Sequence, residues 1–220
     1  MTVTLGYWDI RGLAQPIRNL LVYKGVDFED KLYKVGPGPD FDREEWLKDK
    51  CSLGVMFPNL PYYIDEDVKI SQSLAIMRYL ARKHDLGARN GEETVKLDVM
   101  EQQAKDLSMW LGMVCYSANF EEQRAKYEET MVGQLRLWDE HLQGKLWVLG
   151  DRITYVDFLL YEAFDWHYFF KSEAFQEFPI LVAYMRRFEE LPNLKEYFDS
   201  DKHIKWPLMG PQAKWGHYKQ

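Results

Sequence analysis

The sequence predicts an α/β domain followed by an all-helical domain. Up to residue 84, short segments rich in β-branched and aromatic residues alternate with segments of helical spacing. Beyond residue 91 the apolar residues recur at helical spacing alone, and residues 85–91 are rich in glycine, asparagine and charge. A chain of 220 residues is comfortable for two small domains. We therefore expect domains at 1–84 and 92–220, joined by a linker at 85–91.

The composition excludes several functional classes. The net charge is −7 and no basic run exceeds two residues, so a nucleic-acid surface is not expected. No apolar run approaches a bilayer span, and no charged-then-apolar leader follows Met1, which predicts a cytoplasmic protein without a membrane segment. Cys51 and Cys115 form no CxxC motif, so neither a disulfide scaffold nor a dithiol redox site is expected. We expect no metal site.

The first stretch reads as a strand, 2–8, that runs through a glycine-containing turn into a helix with Pro16 in its first turn. Tyr7 falls at the end of the strand, where side chains point into the crevice beyond a sheet. A phenol with a pKa of about 10 stays protonated at pH 7 and offers one O–H donor. Tyr7 is thus either a ligand-binding donor or a tyrosine packed at a strand end.

The following segments complete a βαβ unit and add a short helix. Gly25 is a natural helix stop, a second strand lies within 26–35, and two glycines and two prolines make 35–40 an irregular loop. In the helix predicted over 42–50, Asp42 is the candidate N-cap and Glu45 the N3 residue. One face of that helix carries Arg43, Trp46 and Lys50. This face is either an anion site or a solvated charged surface.

A hairpin and a third helix close the first domain. Pro61 leads into one strand, an acidic turn follows, and 68–71 form the second strand. Pro61 is the one place in this half where a cis peptide has a structural purpose. Gln72 and Ser73 open the next helix, whose exposed N–H groups suit an anion, although Ser73 as a simple N-cap explains them equally well.

The second domain opens with a long helix over 92–117, and a second long helix, terminated by Gly144, carries a stripe from Tyr127 to Leu142. The first helix carries a stripe that packs in the core or lines a site: Met109, Gly112, Met113 and Tyr116.

Capping residues place the remaining helices. Thr154 and Asp157 form a capping box before an apolar helix that ends near residue 170 and should be the buried centre of the domain. Pro179 and Pro192 each predict a helix start. The aperiodic tail, 202–220, is rich in tryptophan and should pack back onto the body.

Six motifs taken together resemble the mu class of the cytosolic glutathione transferases, over residues 4–215: LGYWDIRGLAQPIR, PDFDREEWL, FPNLPYYID, SQSLAIMRYLARK, LGMVCY and ITYVDF. The resemblance implies a thioredoxin-like N-terminal domain and a helical-bundle C-terminal domain in a homodimer. It also implies conjugation of glutathione to hydrophobic electrophiles in detoxification. Glutathione would be a co-substrate, with no further cofactor.

The resemblance also assigns roles to residues. Tyr7 would donate to the glutathione sulfur, and Asp106 would reach the γ-glutamyl end from the other subunit. Further glutathione contacts would come from Trp8, from Arg43, Trp46 and Lys50 at the glycyl end, from the backbone of Asn59 and Leu60 at the cysteinyl unit, and from Gln72 and Ser73 at the γ-glutamyl end. The electrophile pocket would be lined by Trp8, Ile10, Leu13, Met109, Tyr116 and Met209.

One departure from the family pattern concerns the electrophile. Met209 stands where an aromatic residue is common, and Gly210 replaces a small polar residue. Methionine makes a more adaptable wall, so the preferred electrophile is open. A non-catalytic carrier of apolar ligands is the alternative function, and retention of Tyr7 favours the enzyme. A thiol oxidoreductase would need cysteine or serine near the end of the first strand.

Overall fold

The computed structural model describes residues 2–218. The outermost residues of the two predicted domains, Met1 at one end and Lys219 and Gln220 at the other, lie outside the described residues. The first part of the chain forms a four-stranded sheet in the order β2-β1-β3-β4. The strands are β1 (Val3–Trp8), β2 (Phe28–Tyr33), β3 (Tyr62–Ile64) and β4 (Lys69–Ser71). β1 pairs in parallel with β2 and antiparallel with β3, and β3 pairs antiparallel with β4.

Close packing across the sheet requires a glycine in β1. Gly6 lies opposite Tyr62 in the pairing of β1 with β3. A Cβ at Gly6 would approach the Tyr62 ring within 2.1 Å, so the position has no room for a side chain. Leu5 and Tyr7, on either side of Gly6, are both buried. This packing fixes the end of β1, and with it the position of Tyr7.

Three helices belong to this part: α1 (Gln15–Tyr23), α2 (Glu44–Lys50) and α3 (Ser73–Lys83). A 3₁₀ turn, Gly12–Ala14, precedes α1. Gly25, at a φ of +64°, ends α1 as predicted, and its N–H donates to the Val22 carbonyl. The expected cis bond is present at Leu60–Pro61, but it does not stand alone in this half, because Gly38–Pro39 is also cis.

The predicted cap of α2 was wrong by one residue. The residue at the N-cap position is Arg43, and α2 begins at Glu44. Asp42, one residue before the cap, instead accepts a hydrogen bond from the N–H of Glu44, the first residue of the helix, at 2.9 Å. Glu45 does not reach back to the cap. It accepts from the Lys34 N–H at 3.0 Å and so ties α2 to the preceding loop.

The second part is helical. It comprises α4 (Gly91–Cys115), α5 (Phe120–Leu142), α6 (Tyr155–Phe170), α7 (Pro179–Glu189) and α8 (Leu194–Asp199), with a 3₁₀ segment, Ser172–Glu177, between α6 and α7. The capping box is confirmed, since Asp157 accepts from the Thr154 N–H at 2.7 Å. α5 begins seven residues before Tyr127, at Phe120. Pro179 opens α7 as predicted.

The helix start predicted at Pro192 was wrong. α8 begins at Leu194, and the residue before it, Asn193, adopts a φ of +67°. Asparagine tolerates this left-handed conformation better than most residues. The backbone at Asn193, rather than the proline ring, therefore sets the start of α8.

The buried centre is α6, as predicted, with Phe158, Leu160 and Phe164 inaccessible to solvent. α6 packs against α4 and α7 in its own part and against α1 and α3 in the other. In this way one helix serves the cores of both parts. The expectation of a thioredoxin-like domain followed by a helical bundle is confirmed.

The tail folds back onto the turn that follows β1. The Arg11 and Gly12 N–H groups donate to the carbonyls of Pro207 and Leu208 at 2.9 and 3.1 Å. Leu208 and Met209 are buried there. None of the helices in residues 2–218 is long and apolar enough to span a membrane.

Candidate functional site

Two neighbouring cavities meet at Tyr7, between the end of β1 and the helical part. The first, which we call the apolar cavity, has a volume of about 630 Å³ and runs between the turn after β1, α4 and the tail. The second, the polar cleft, has a volume of about 710 Å³ and is bounded by Trp8, Arg43 and the tail. Tyr7, Ile10 and Tyr116 line both. A ligand that occupies both cavities therefore passes the Tyr7 hydroxyl.

The hydroxyl of Tyr7 is held in a fixed orientation. Its oxygen accepts a hydrogen bond from the Leu13 N–H at 3.1 Å. The side chain is 6% exposed, and this burial raises the pKa of Tyr7 to about 12, although the Leu13 hydrogen bond acts in the opposite direction. Tyr7 is thus a neutral phenol at pH 7 whose proton remains available for a ligand.

Gly12 makes room for this phenol. It has a φ of +42°, and a Cβ there would lie 2.7 Å from both the ring and the hydroxyl oxygen of Tyr7. No side chain fits at that distance. Only glycine provides both the left-handed backbone and the missing side chain at this position.

The apolar cavity brings together five of the residues predicted to line an electrophile pocket: Ile10, Leu13, Met109, Tyr116 and Met209. The sixth, Trp8, lies in the polar cleft instead. On α4, the stripe from Met109 to Tyr116 does not pack in the core. Met109, Met113 and Tyr116 are 44%, 58% and 46% exposed, and all three line the apolar cavity.

Tyr116 also anchors the tail at the departure from the family pattern. Its hydroxyl oxygen accepts from the Gly210 N–H at 2.6 Å. A Cβ at Gly210 would lie 3.0 Å from that oxygen, so the glycine permits the short contact. Next to it, Met209 is buried and lines the cavity.

The residues predicted for the glycyl end of glutathione have different environments. Arg43 is exposed and lines the polar cleft with Tyr7 and Trp8. Trp46 is buried, stacked on Tyr62 and edge-on to Tyr33, so its ring serves the packing of α2 on the sheet. Lys50 is half-buried and lines neither cavity.

The remaining predicted glutathione contacts divide between the cavity and the surface. Gln72 and Ser73 line the apolar cavity at the start of α3, where Gln72 has a φ of +73°. Asn59 and Leu60 lie outside both cavities, and the Leu60 N–H donates to the Asn59 side-chain oxygen at 2.9 Å. Asp106 also lines neither cavity of its own chain.

Several residues of the apolar cavity were missed by the sequence reasoning: Gly12, Pro16, Lys105, Leu159, Glu162, Trp166 and Leu208. Lys105 could have been found, because it lies one helical turn before Met109 on α4. The contacts from α6 depend on how α6 packs against α4, and no local pattern encodes that packing.

The two cysteines line neither cavity. Both thiols are free, that of Cys51 exposed and that of Cys115 buried. Within residues 2–218, no group of three or more histidine, cysteine, aspartate or glutamate side chains is placed to hold a metal ion.

Two family models match the chain. The glutathione S-transferase N-terminal domain matches residues 3–82 and the C-terminal domain matches residues 105–201. Glutathione S-transferase Mu 2 of Mus musculus is 46% identical over 215 residues, covering 98% of this chain and 99% of the relative. Glutathione S-transferase Mu 1 of Homo sapiens is 44% identical over 217 residues, covering 99% and 100%.

Solved structures agree with these relatives. The crystal structure of the glutathione S-transferase Blo t 8 superposes with a TM-score of 0.89 at 39% identity, covering 97% of this chain and all of that one. A pi-class glutathione S-transferase of Onchocerca volvulus superposes with a TM-score of 0.84 at 30% identity. The match to both domain models and to mu-class relatives over nearly the full length shows that the chain belongs to the glutathione S-transferase family, and it confirms the resemblance to the mu class.

Proposed function

We propose that this glutathione S-transferase joins the thiolate of glutathione to hydrophobic electrophiles, and that Tyr7 holds the thiolate. The observation that carries the proposal is the position of the Tyr7 hydroxyl, where the two cavities meet. The hydroxyl oxygen accepts a hydrogen bond from the Leu13 N–H, and burial raises the pKa of Tyr7 to about 12. A neutral O–H donor suits a thiolate, because a hydrogen bond to the charged form of sulfur lowers the thiol pKa. Detoxification of reactive apolar compounds is the role we assign to this chemistry.

The proposed reaction is a displacement at an electron-poor carbon. The glutathione thiol releases its proton to solvent on binding, and the sulfur forms a bond to the carbon while the leaving group departs with its electron pair. Tyr7 donates a hydrogen bond to sulfur before the attack. It does not act as a base, since its phenol is protonated at pH 7.

Thiol ionisation alone accounts for little of the acceleration. A shift of about two units from a thiol pKa of about 8.5 raises the thiolate fraction at pH 7 roughly 25-fold. The less basic thiolate is intrinsically a weaker nucleophile by about 8-fold, for a Brønsted slope near 0.45. The net gain is about 3-fold. Holding the electrophile in the apolar cavity against the sulfur must therefore supply most of the rate.

The two carboxylates and the ammonium group of glutathione need charged and polar partners. We assign Arg43, Trp46 and Lys50 to the glycyl end, and Trp8 lies beside Arg43 in the polar cleft. Gln72 and Ser73 are assigned to the γ-glutamyl end, where the N–H groups at the start of α3 favour a carboxylate. Pairing of the backbone of Asn59 and Leu60 with the cysteinyl unit requires the Leu60 N–H to leave the Asn59 side chain.

A homodimer is part of the proposal. Phe57 is 77% exposed, and on α4 Val95 and Val99 are 65% and 66% exposed. Asp106 follows these two valines at helical spacing, on the same face of α4. A partner subunit that covers this face would bring Asp106 to the γ-glutamyl ammonium group of the other subunit. Two free thiols suit the reducing cytoplasm, where we place the protein.

The test is conjugation of glutathione to a chlorodinitrobenzene by the purified protein, followed through the absorbance of the thioether. We expect saturable turnover in both substrates. A carrier without catalytic activity would bind the aryl halide, displace a fluorescent apolar probe and leave the rate at the level of the uncatalysed reaction. That outcome would reject the proposed function.

A further inference from the structure

The apolar cavity contains a charge that the protein itself does not neutralise. Two charged residues line the cavity, Glu162 and Lys105. The Glu162 carboxylate accepts from the Arg11 guanidinium at 2.7 and 2.9 Å and from the Trp166 indole N–H at 2.7 Å. Glu162 is thus paired inside the protein with a guanidinium that it shares with Asp165, whereas Lys105 is exposed at the cavity.

The helical neighbour that would normally pair with Lys105 is engaged elsewhere. Four residues before it on α4 stands Glu101, the orientation in which a glutamate best supports a lysine. Glu101 is inaccessible to solvent, and its two oxygens accept from Arg78 at 2.5 and 2.7 Å and from the Tyr155 hydroxyl at 2.9 Å. Across residues 2–218, no carboxylate forms an ion pair with Lys105.

Lys105 continues the stripe of α4 that lines the cavity. Lys105, Met109, Gly112 and Tyr116 follow one another at steps of four, three and four, which places them on one face. Tyr116, the residue that follows α4, comes eleven positions after Lys105, which corresponds to a rise of about 16 Å along the helix axis. Tyr116 lines both cavities together with Tyr7. The backbone of Lys105 therefore lies about 16 Å along the axis of α4 from that of Tyr116, the residue that shares both cavities with Tyr7.

We infer that the cavity selects hydrophobic electrophiles that carry a carboxylate at the end away from the reacting carbon, and that Lys105 binds this carboxylate. The inference rests on the proposed function, which it deepens by naming a substrate class. Apolar walls lower the effective dielectric around the pair and so strengthen it. The flexible stem of lysine lets one ammonium group serve carboxylates at a range of distances. In a chain of net charge −7, such a local cation decides whether an anionic ligand is admitted.

The experiment compares two electrophiles that differ in charge, a chloronitrobenzoate and the corresponding chloronitrobenzamide. The variants are Lys105→Gln and Lys105→Glu. Lys126→Gln is the matched control, because Lys126 is an exposed lysine on α5 that pairs with Glu122 and lines neither cavity. For each protein we measure kcat/KM for both electrophiles, and KM for glutathione, at low ionic strength, where screening is weakest.

The ratio of kcat/KM for the benzoate to that for the benzamide should fall about two- to five-fold in Lys105→Gln, as expected for a partly exposed pair. It should fall further in Lys105→Glu and stay unchanged in Lys126→Gln, while KM for glutathione stays constant in all. Comparing one ratio across variants removes the difference in intrinsic reactivity of the two electrophiles.

Two outcomes would overturn the inference. An unchanged ratio in both Lys105 variants means that the ammonium group does not reach the electrophile. A higher KM for glutathione at an unchanged ratio means that it binds the γ-glutamyl carboxylate instead. Failure of the unmodified protein to conjugate either electrophile is a separate result, because it rejects the proposed function and removes the inference with it.

Discussion

The N–H of Leu13 donates a hydrogen bond to the hydroxyl oxygen of Tyr7 across 3.1 Å. Because that contact uses a lone pair of the oxygen, the hydroxyl proton is left free to be donated to a group in the cavities. Burial raises the pKa of Tyr7 to about 12, so the proton stays in place over the whole physiological range. The turn after β1 therefore presents an oriented neutral donor.

Tyr7→Phe should raise the pKa of the enzyme-bound glutathione thiol and leave glutathione affinity nearly intact. The substitution removes one O–H and keeps the ring, while the proposed contacts to the carboxylates and the ammonium group of glutathione remain. A hydrogen bond to a charged group contributes about 1.5–3 kcal/mol, which corresponds to a rise of roughly one to two pKa units. The measurement is the pH dependence of thiolate absorbance in the binary complex.

Tyr168→Phe is the control for this experiment, since it removes a hydroxyl from an exposed tyrosine that lines neither cavity. The thiol pKa should not move in this variant. If it also stays constant in Tyr7→Phe, the activating donor must be sought elsewhere. Trp8 or a backbone N–H of the turn would then be the next candidates.

Gly12→Ala should destabilise the protein and weaken thiol activation together. The left-handed backbone costs a residue with a Cβ about 1–2 kcal/mol, and the methyl group would lie 2.7 Å from the Tyr7 hydroxyl oxygen. The ring must shift, which disturbs the Leu13 hydrogen bond. Urea unfolding and the thiol titration measure the two effects on one protein.

Gly133→Ala provides the opposite case. Gly133 lies within α5, and a Cβ there meets no atom within 4 Å. Replacing a glycine inside a helix by alanine should stabilise the protein by about 0.5–1 kcal/mol and leave the thiol pKa unchanged. If Gly12→Ala behaved like Gly133→Ala, the close approach to Tyr7 would have no consequence for the site.

Much of the fold could be predicted because its signals are local. The strand β1 with Tyr7 near its end, the helix stop at Gly25 and the capping box of Thr154 and Asp157 each depend on residues close together in the sequence. The two helix starts that were predicted wrongly are those at Asp42 and Pro192. At both places the backbone conformation, and not the type of side chain alone, determines where the helix begins. At α8 the deciding residue is Asn193, with its φ of +67°.

The site was predictable only where the family motifs named its residues. Ile10, Leu13 and Met109 do line one cavity. Spacing alone could not distinguish whether the stripe of α4 faces a core or a cavity, because both need apolar side chains. Trp166 could not be found at all, since its place in the cavity follows from the packing of α6 on α4.

Phe57→Ala should shift the protein from dimer to monomer. Phe57 is 77% exposed in the single chain and adopts a φ of +52°, which presents a large ring outside its own domain. If the ring inserts between helices of the partner, its truncation costs about 3–5 kcal/mol and raises the dimer dissociation constant at least about a hundred-fold. Sedimentation equilibrium measures this constant. Leu137→Ala is the control, because Leu137 on α5 is 56% exposed, and this variant should leave the dimer dissociation constant unchanged. If both variants changed the constant equally, Phe57 would have no specific role in the dimer interface.

Asp106→Asn should weaken glutathione binding and leave the pKa of the bound thiol almost unchanged. The substitution removes the proposed partner of the γ-glutamyl ammonium group. Asp106 lies far from Tyr7 in the sequence, on the face of α4 that also carries the exposed Val95 and Val99. Calorimetric titration with glutathione gives the affinity. Unaltered affinity would assign Asp106 to the solvated surface, and a shifted thiol pKa would place it near the sulfur.

A buried histidine should make the folded state sensitive to acid. His167 is inaccessible to solvent, its Nδ1 donates to the Ala163 carbonyl, and its Nε2 accepts from the Tyr127 hydroxyl, both at 2.6 Å. Burial lowers the pKa of His167 to about 4, although the Ala163 contact acts in the opposite direction. The imidazole is therefore neutral in the folded protein at every pH above that value.

The sign of the pH dependence follows from proton binding. The unfolded imidazole takes up a proton near its ordinary pKa of about 6.5, and the folded one only near 4. Between these values the unfolded state binds more protons, so this histidine lowers the free energy of unfolding as the pH falls, by up to about 3 kcal/mol. His167→Gln keeps one donor and one acceptor but cannot titrate, so its free energy of unfolding in urea should fall less steeply than that of the unmodified protein between pH 6.5 and 4. Parallel curves for the two proteins would show that His167 is protonated as readily in the folded chain as in the unfolded one, and the acid sensitivity would then belong to other groups.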